Sequence, residues 1–406
     1  MVAEHADELV INDKHYAVTQ DARKKCLIVD SERKLVIFLY DYALWEQRDE
    51  IKSAFVCGSF NMWLENPLYE MQAAPSLALH YLAVDFSNLS GVGNSGFPEY
   101  KFCVNGNFLV LEQRDFIPPG YVFPSADKNL VVLFSEKHLA EFLEECKIAD
   151  TVKKLSDFDL TGREGQEEIS NFRLVPRTKK LFRSFHPFYS TGGRSTKYET
   201  EKTRIELVQK LSEQEGIMSD INLTDDYTVF AGEEIKWYDG TEGHVEIPPY
   251  YKKILDSKSV CNVMSPSHVV PSYEYVYTHP RDKLFSEWVR AIVTFIIDDA
   301  HKAPFQIHCA IGTDRTGVFS ALLAAFCGAT WEEVSEDYQK TNRMGINEYR
   351  SKALLAQSFQ RLLSIKDVSK IKNLQAVLWD YFTTTEVDGE PVLTTAQLEA
   401  LVAKLN

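Results

Sequence analysis

A chain of 406 residues is long for one core, so two domains are expected, and an apolar fraction of 45% is enough to fill both. The net charge of -15 argues against nucleic acid or an anionic membrane surface as a partner, since either demands a dominant basic face. No run of residues reaches the length of a membrane span, and residues 1–7 lack the basic start and apolar core of a signal peptide.

Residues 1–33 read as an N-terminal extension and residues 34–135 as a β-sandwich. Strands are expected at 35–39, 53–57, 80–84, 99–104, 107–110 and 129–133, with Asn105-Gly106 as a hairpin turn. The turn-rich Gly58-Ser59-Phe60-Asn61-Met62-Trp63 follows the second of them. Residues 136–171 read as a helical linker, helical from Glu136 and polar from Asp157 to Asn171.

From Leu181 the pattern alternates between strands and helices: a helix at 199–214, a strand at 220–223, an amphipathic helix at 283–300, a short buried strand at 303–307 and a buried helix at 318–326 ended by Gly328. Thr330 is placed to cap the next helix, and residues 367–406 read as closing helices. Residues 172–406 are thus expected to fold as an α/β domain with a central sheet flanked by helices. Seven cysteines stand singly, at Cys26, Cys57, Cys103, Cys146, Cys261, Cys309 and Cys327, with no metal or disulfide spacing, so a reducing, cytoplasmic setting is expected and no cofactor is called for.

Between the last of those strands and the last buried helix lies His308-Cys309-Ala310-Ile311-Gly312-Thr313-Asp314-Arg315-Thr316-Gly317. A loop at a helix N-terminus offers unpaired N–H groups and the positive end of a dipole, which favour an anion and lower a thiol pKa. Cys309 is then a thiolate near neutral pH, and Arg315 grips two oxygens of a phosphoryl group. Gly312 and Gly317 let the backbone close on the anion, Thr316 is placed to bond the sulfur, and His308 orients the loop from behind. Arg183, Arg194, Lys197 and Arg281 extend the positive field if the fold gathers them.

This stretch resembles the signature of the cysteine-dependent phosphatases, the tyrosine and dual-specificity superfamily: His-Cys, five residues, Arg, then Ser or Thr. Its Asp-Arg-Thr-Gly ending is similar to that of bacterial tyrosine phosphatases and myotubularin-like lipid phosphatases. Phe182-Arg183-Ser184-Phe185-His186-Pro187, Ile221-Asn222-Leu223 and Asp337-Tyr338-Gln339-Lys340-Thr341-Asn342 carry the resemblance over most of residues 172–365. It implies a metal-independent phosphomonoester hydrolase working through a phosphocysteine. Asp282, 27 positions before the cysteine (309 − 282), and Asp314 compete as the general acid, with Asp282 favoured. Arg183 is a candidate substrate contact, and Tyr338, Thr341 and Asn342 are expected mostly to pack. Thr313 stands where related bacterial enzymes often have lysine.

Gly58 to Trp63 and Tyr100-Lys101-Phe102-Cys103-Val104-Asn105-Gly106 resemble the early-set, immunoglobulin-like domain of glycogen-binding modules, which implies a sugar site at Trp63 and Lys101. A second tryptophan usual on that binding surface has no counterpart here. Protein phosphotyrosine, inositol phosphate or phosphoinositide, and phosphorylated glucan remain open as substrates, as does a non-catalytic protein that binds phospholigands or carbohydrate.

Overall fold

The computed structural model describes residues 7–47, 49–111, 116–125, 127–149, 153–188, 198–224, 234–236, 242–244, 247–346 and 348–406. The chain divides into two compact units, Met1–Asp150 and Thr151–Asn406. No described helix is long and apolar enough to cross a membrane.

The first unit is sheet-rich. In chain order it holds β1 (Glu8–Ile11), β2 (Lys14–Ala17), α1 (Gln20–Lys25), β3 (Leu27–Asp30), β4 (Leu35–Asp41), β5 (Ala54–Gly58), β6 (Gln72–Ala74), β7 (Leu79–Asp85), β8 (Glu99–Val104), β9 (Asn107–Phe108), β10 (Leu130–Val131) and α2 (Glu136–Ala149). Two antiparallel sheets form, one ordered β3-β4-β7-β6 and the other β10-β8-β5 with β9 on β8. Val36, Phe38 and Tyr40 from β4 share a core with Val56, Tyr100 and Phe102 from the second sheet, so the two sheets face each other. Because successive side chains alternate, Ile37 and Leu39 point the other way. They are buried with Leu9, Tyr16 and Val18 of the first hairpin, so the segment before residue 34 is folded onto the sheet rather than extended from it. The expected hairpin turn is present, with φ of 50° at Asn105 and 77° at Gly106, the positive pair that a two-residue turn requires.

The second unit holds α3 (Arg163–Ser170), β11 (Arg173–Leu174), β12 (Leu181–Ser184), α4 (Tyr198–Gln214), β13 (Ser219–Asn222), β14 (Glu234–Lys236), β15 (Glu242–His244), α5 (Pro249–Asp256), β16 (Val260–Asn262), α6 (Tyr275–Thr278), α7 (Lys283–Ile297), β17 (Phe305–His308), α8 (Asp314–Phe326), α9 (Trp331–Lys340), α10 (Lys352–Leu363), α11 (Leu374–Thr384), β18 (Glu386–Val387), β19 (Glu390–Pro391) and α12 (Thr395–Leu405). Its sheet runs β11-β12-β17-β13-β16, with every pairing parallel except β11 on β12. β17 is fully buried, as a central parallel strand covered on both faces must be. α8 is buried almost all round, which explains why it reads as an unbroken apolar run rather than an amphipathic one. α9 begins with a capping box in which Thr330 Oγ1 accepts from the Glu333 N–H at 3.3 Å and Glu333 Oε2 accepts from the Thr330 N–H at 2.9 Å. The polar stretch from Asp157 to Asn171 contains the amphipathic helix α3, whose Ile169 and Ser170 are buried. The closing segment also contains a small β18-β19 hairpin that helical periodicity did not foretell.

Candidate active site

The parallel strands β12, β17 and β13 end side by side at Ser184, His308 and Asn222, and β17 runs from His308 through residues 309–313 into α8. Ligands of open α/β sheets sit at this carboxyl edge, where strands from opposite directions of winding meet. The loop here is drawn tight. Gly312 has φ of +73°, and a Cβ on it would lie 2.2 Å from the Ser184 carbonyl oxygen. A Cβ on Gly317 would lie 2.7 Å from the ring of Tyr338, which packs there from α9.

The loop carbonyls are held from outside. The His186 N–H donates to the Ala310 oxygen at 3.3 Å. Asn171 Nδ2 donates to the Ile311 and Gly312 oxygens at 3.3 and 3.0 Å, and Arg183 Nη2 donates to the Gly312 oxygen at 2.7 Å. A trans peptide is planar with C=O and N–H opposed, so outward carbonyls turn the Ile311, Gly312 and Thr313 N–H groups inward. The result is a concave set of donors of the kind that binds anions.

Cys309 lies at its base, 2% exposed. Burial pushes its thiol up, but the Arg315 charge, the Thr316 hydroxyl and the Thr316 N–H together outweigh burial and hold it below the ordinary thiol value. The other buried or half-buried thiols shift the opposite way, with burial the largest cause in each: Cys26, Cys103, Cys261 and Cys327 are pushed up to about 12, and Cys57 to about 11. The Thr316 hydroxyl has no other partner among the described residues. Arg315 is fixed by Nη1 bonds to the carbonyls of Leu223 at 3.0 Å and Pro271 at 3.4 Å, while its buried Nε bonds nothing described. His308 is fully buried behind the loop, with Nε2 3.2 Å from Asp220 Oδ2 and Nδ1 3.3 Å from the Cys309 oxygen.

The two carboxylates weighed for proton transfer lie in different surroundings. Asp314 opens α8, buried, and takes a two-pronged ion pair from Arg350, with Nε at 2.6 Å and Nη2 at 3.1 Å, plus the Tyr277 hydroxyl at 2.9 Å. Burial opposes the charge on Arg350, but Asp314 and Glu348 more than offset it. Asp282 is an exposed N-cap of α7 whose Oδ2 accepts from the Tyr275 hydroxyl at 2.6 Å. Its neighbour Arg281 bonds Ser364 just past the C-terminus of α10, whereas Arg350 precedes the N-terminus of that helix, whose 12 residues span about 18 Å.

Arg183 corrects an expectation. It is 1% exposed and spent on Asp337 and the Gly312 carbonyl, so it shapes the loop from behind instead of facing a substrate. Arg194 and Lys197 lie outside the described residues. Tyr338, Thr341 and Asn342 pack: Thr341 bonds Asn171 at 3.3 Å, and Asn342 bonds the backbone of Arg350. Sequence reasoning missed Asn171, Arg173 and Arg350. Arg173 and Arg183 both bind Asp337, whose carboxyl burial pushes up but the two guanidinium groups together hold below the ordinary range.

A parallel sheet ending in a cysteine-arginine anion loop is the frame of a cysteine-dependent phosphatase, and this chain is one. Residues 245–387 match the model of a tyrosine phosphatase family. The search of curated proteins returns no match. The core catalytic domain of the PP-IP phosphatase SIW14 from S. cerevisiae, solved with citrate, is similar at 16% identity over 48% of this chain and 91% of that one. Its TM-score of 0.25 is too low to carry an argument about fold or substrate.

Two outcomes are expected of this geometry. Gly312→Ala, forced into a left-handed backbone against the Ser184 oxygen, should lose phosphate binding measured by calorimetry. Asp314→Asn should lower unfolding free energy in urea by about 3–5 kcal/mol because Arg350 is left as a buried, partly unpaired charge, and adding Arg350→Met should recover part of the loss.

Proposed function

We propose that the second unit hydrolyses phosphomonoesters of aromatic alcohols, with phosphotyrosine in protein as the leading substrate. The Cys309 thiolate attacks phosphorus, the bond to the leaving oxygen breaks and that oxygen takes a proton. Water then attacks the phosphocysteine, the S–P bond breaks, and inorganic phosphate leaves with the thiolate restored. The inward N–H groups and Arg315 hold the non-bridging oxygens, where charge is carried through both steps. Thr316 stabilises the departing sulfur. The observation that carries this reading is the turn from β17 into α8, which sets the buried Cys309 beside Arg315 and the hydroxyl and N–H of Thr316, the groups that hold its thiol below the ordinary value.

Asp314 is the carboxyl within the loop, so leaving-group protonation is assigned to it in preference to Asp282. Arg350 and the Tyr277 hydroxyl hold that carboxyl in place at the start of α8.

The rim supports an aromatic ester. Val269, Val270 and Tyr273 are exposed on either side of Pro271, whose carbonyl meets Arg315, and offer an apolar surface to a ring. Among the described residues, Arg350 is engaged with Asp314 and Glu348, and Arg173 and Arg183 with Asp337. The first unit is read as an immunoglobulin-like early-set sandwich. Its proposed sugar site pairs half-buried Trp63 with Lys101, which lies on the face of β8 opposite the buried Tyr100 and Phe102. A reducing cytoplasm suits the thiolate.

An aryl phosphate assayed without metal should be hydrolysed by the parent and not by Cys309→Ser. Because the Cys309 pKa is depressed, the thiolate fraction rises with pH and reaches half below the ordinary value of about 8.5, which the pH dependence of iodoacetate alkylation measures. Asp282→Asn should keep kcat/KM within about threefold, and Asp314→Asn should lower it on the order of 10²-fold or more. Phosphotyrosine peptides should be preferred to inositol polyphosphates in a release assay; the reverse preference would overturn the aromatic reading.

A further inference from the structure

Asn171 sits at the C-cap of α3 with φ of 53°, a left-handed conformation that asparagine tolerates better than most residues. It is 2% exposed, and each atom of its side-chain amide is engaged. Oδ1 accepts from Arg173 Nη1 and from the Thr341 hydroxyl, and Nδ2 donates to the Ile311 and Gly312 carbonyls. Donors on one side and acceptors on the other permit one orientation of the amide. Arg173, which sets that orientation, is itself fixed by Asp337, with Nε 2.6 Å from Oδ1 and Nη2 2.7 Å from the backbone oxygen. The same carboxylate holds Arg183, the second donor to Gly312.

We propose that Asn171 is a positioning residue for phosphoryl transfer: by holding the Ile311 and Gly312 carbonyls outward it aims the Gly312 and Thr313 N–H groups at the phosphoryl oxygens. The brace runs from Asp337 on α9 through Arg173 to Asn171, and so ties a helix after the loop and a cap before the sheet to the two peptide units at its centre. Without it the Ile311 carbonyl loses its donor and the Gly312 carbonyl keeps only Arg183, and a peptide that rotates presents an oxygen to the anion where an N–H belongs. The inference rests on the phosphatase reading above.

The test uses the full chain with orthovanadate and inorganic phosphate as probes and an aryl phosphate as substrate. Asn171→Gly keeps the positive φ and removes the amide, whereas Asn171→Asp keeps the shape and replaces the donor by an acceptor. Both should weaken vanadate inhibition by about tenfold or more and lower kcat/KM by about 10²-fold, the scale of one misplaced oxyanion donor. Melting temperature is read alongside, since a purely structural role would move it and leave vanadate affinity of the folded protein unchanged. Folded Asn171→Asp with parental vanadate affinity overturns the inference and leaves the phosphatase reading intact. A parent that neither turns over aryl phosphate nor binds vanadate overturns both.

Discussion

Removing a thiolate from water costs free energy, and that cost is the constraint around which the second unit is arranged. Cys309 is as buried as the thiols that burial drives up to about 12, yet it is held low. The difference is supplied by groups that only a particular backbone path brings together. One is the guanidinium of Arg315, the second residue of α8, and another is the hydroxyl and N–H of Thr316 next to it. The same field that stabilises the sulfur serves a phosphoryl dianion, so one arrangement prepares the nucleophile and binds its target.

Holding that path is the task of residues that meet no ligand. A loop that turns its amides inward must turn its carbonyls outward, and buried carbonyls need donors. Asn171, Arg183 and the His186 N–H provide them, and Asp337 pairs with both Arg173 and Arg183, which would otherwise lack a carboxylate partner among the described residues. Arg350 plays the matching part for Asp314 on the far side of the helix start. The site is thereby encased in two clusters of ion pairs, one with two arginines on one carboxylate and one with a single arginine on two, and Arg315 is the guanidinium whose field reaches the sulfur most strongly.

The first unit follows a different logic, in which β4 is apolar on both faces because one face meets the opposite sheet and the other meets the N-terminal hairpin. Its strands were legible because period-two alternation and the Asn105-Gly106 turn are local features. The hairpin and β3 were not, since four-residue strands such as Glu8–Ile11 are too short for alternation to stand out from chance. α3 was hidden for a related reason: its apolar face is little more than Ile169 set among charged residues, which reads as a solvated linker until something packs on it.

By itself the sequence determined the ten residues from His308 to Gly317, because the spacing of cysteine, glycines and arginine is a contiguous record of a strand-loop-helix turn. It likewise determined the alternation of strand and helix that frames them. The tertiary structure alone decided the direction in which each charged group faces. Arg183 turns behind the loop, Asp282 caps α7 beside Tyr275, and Arg350, 36 positions from Asp314, closes on it. Such pairings join residues far apart in the chain through distances of about 3 Å, and ion pairs of that kind leave no periodicity for a sequence to display.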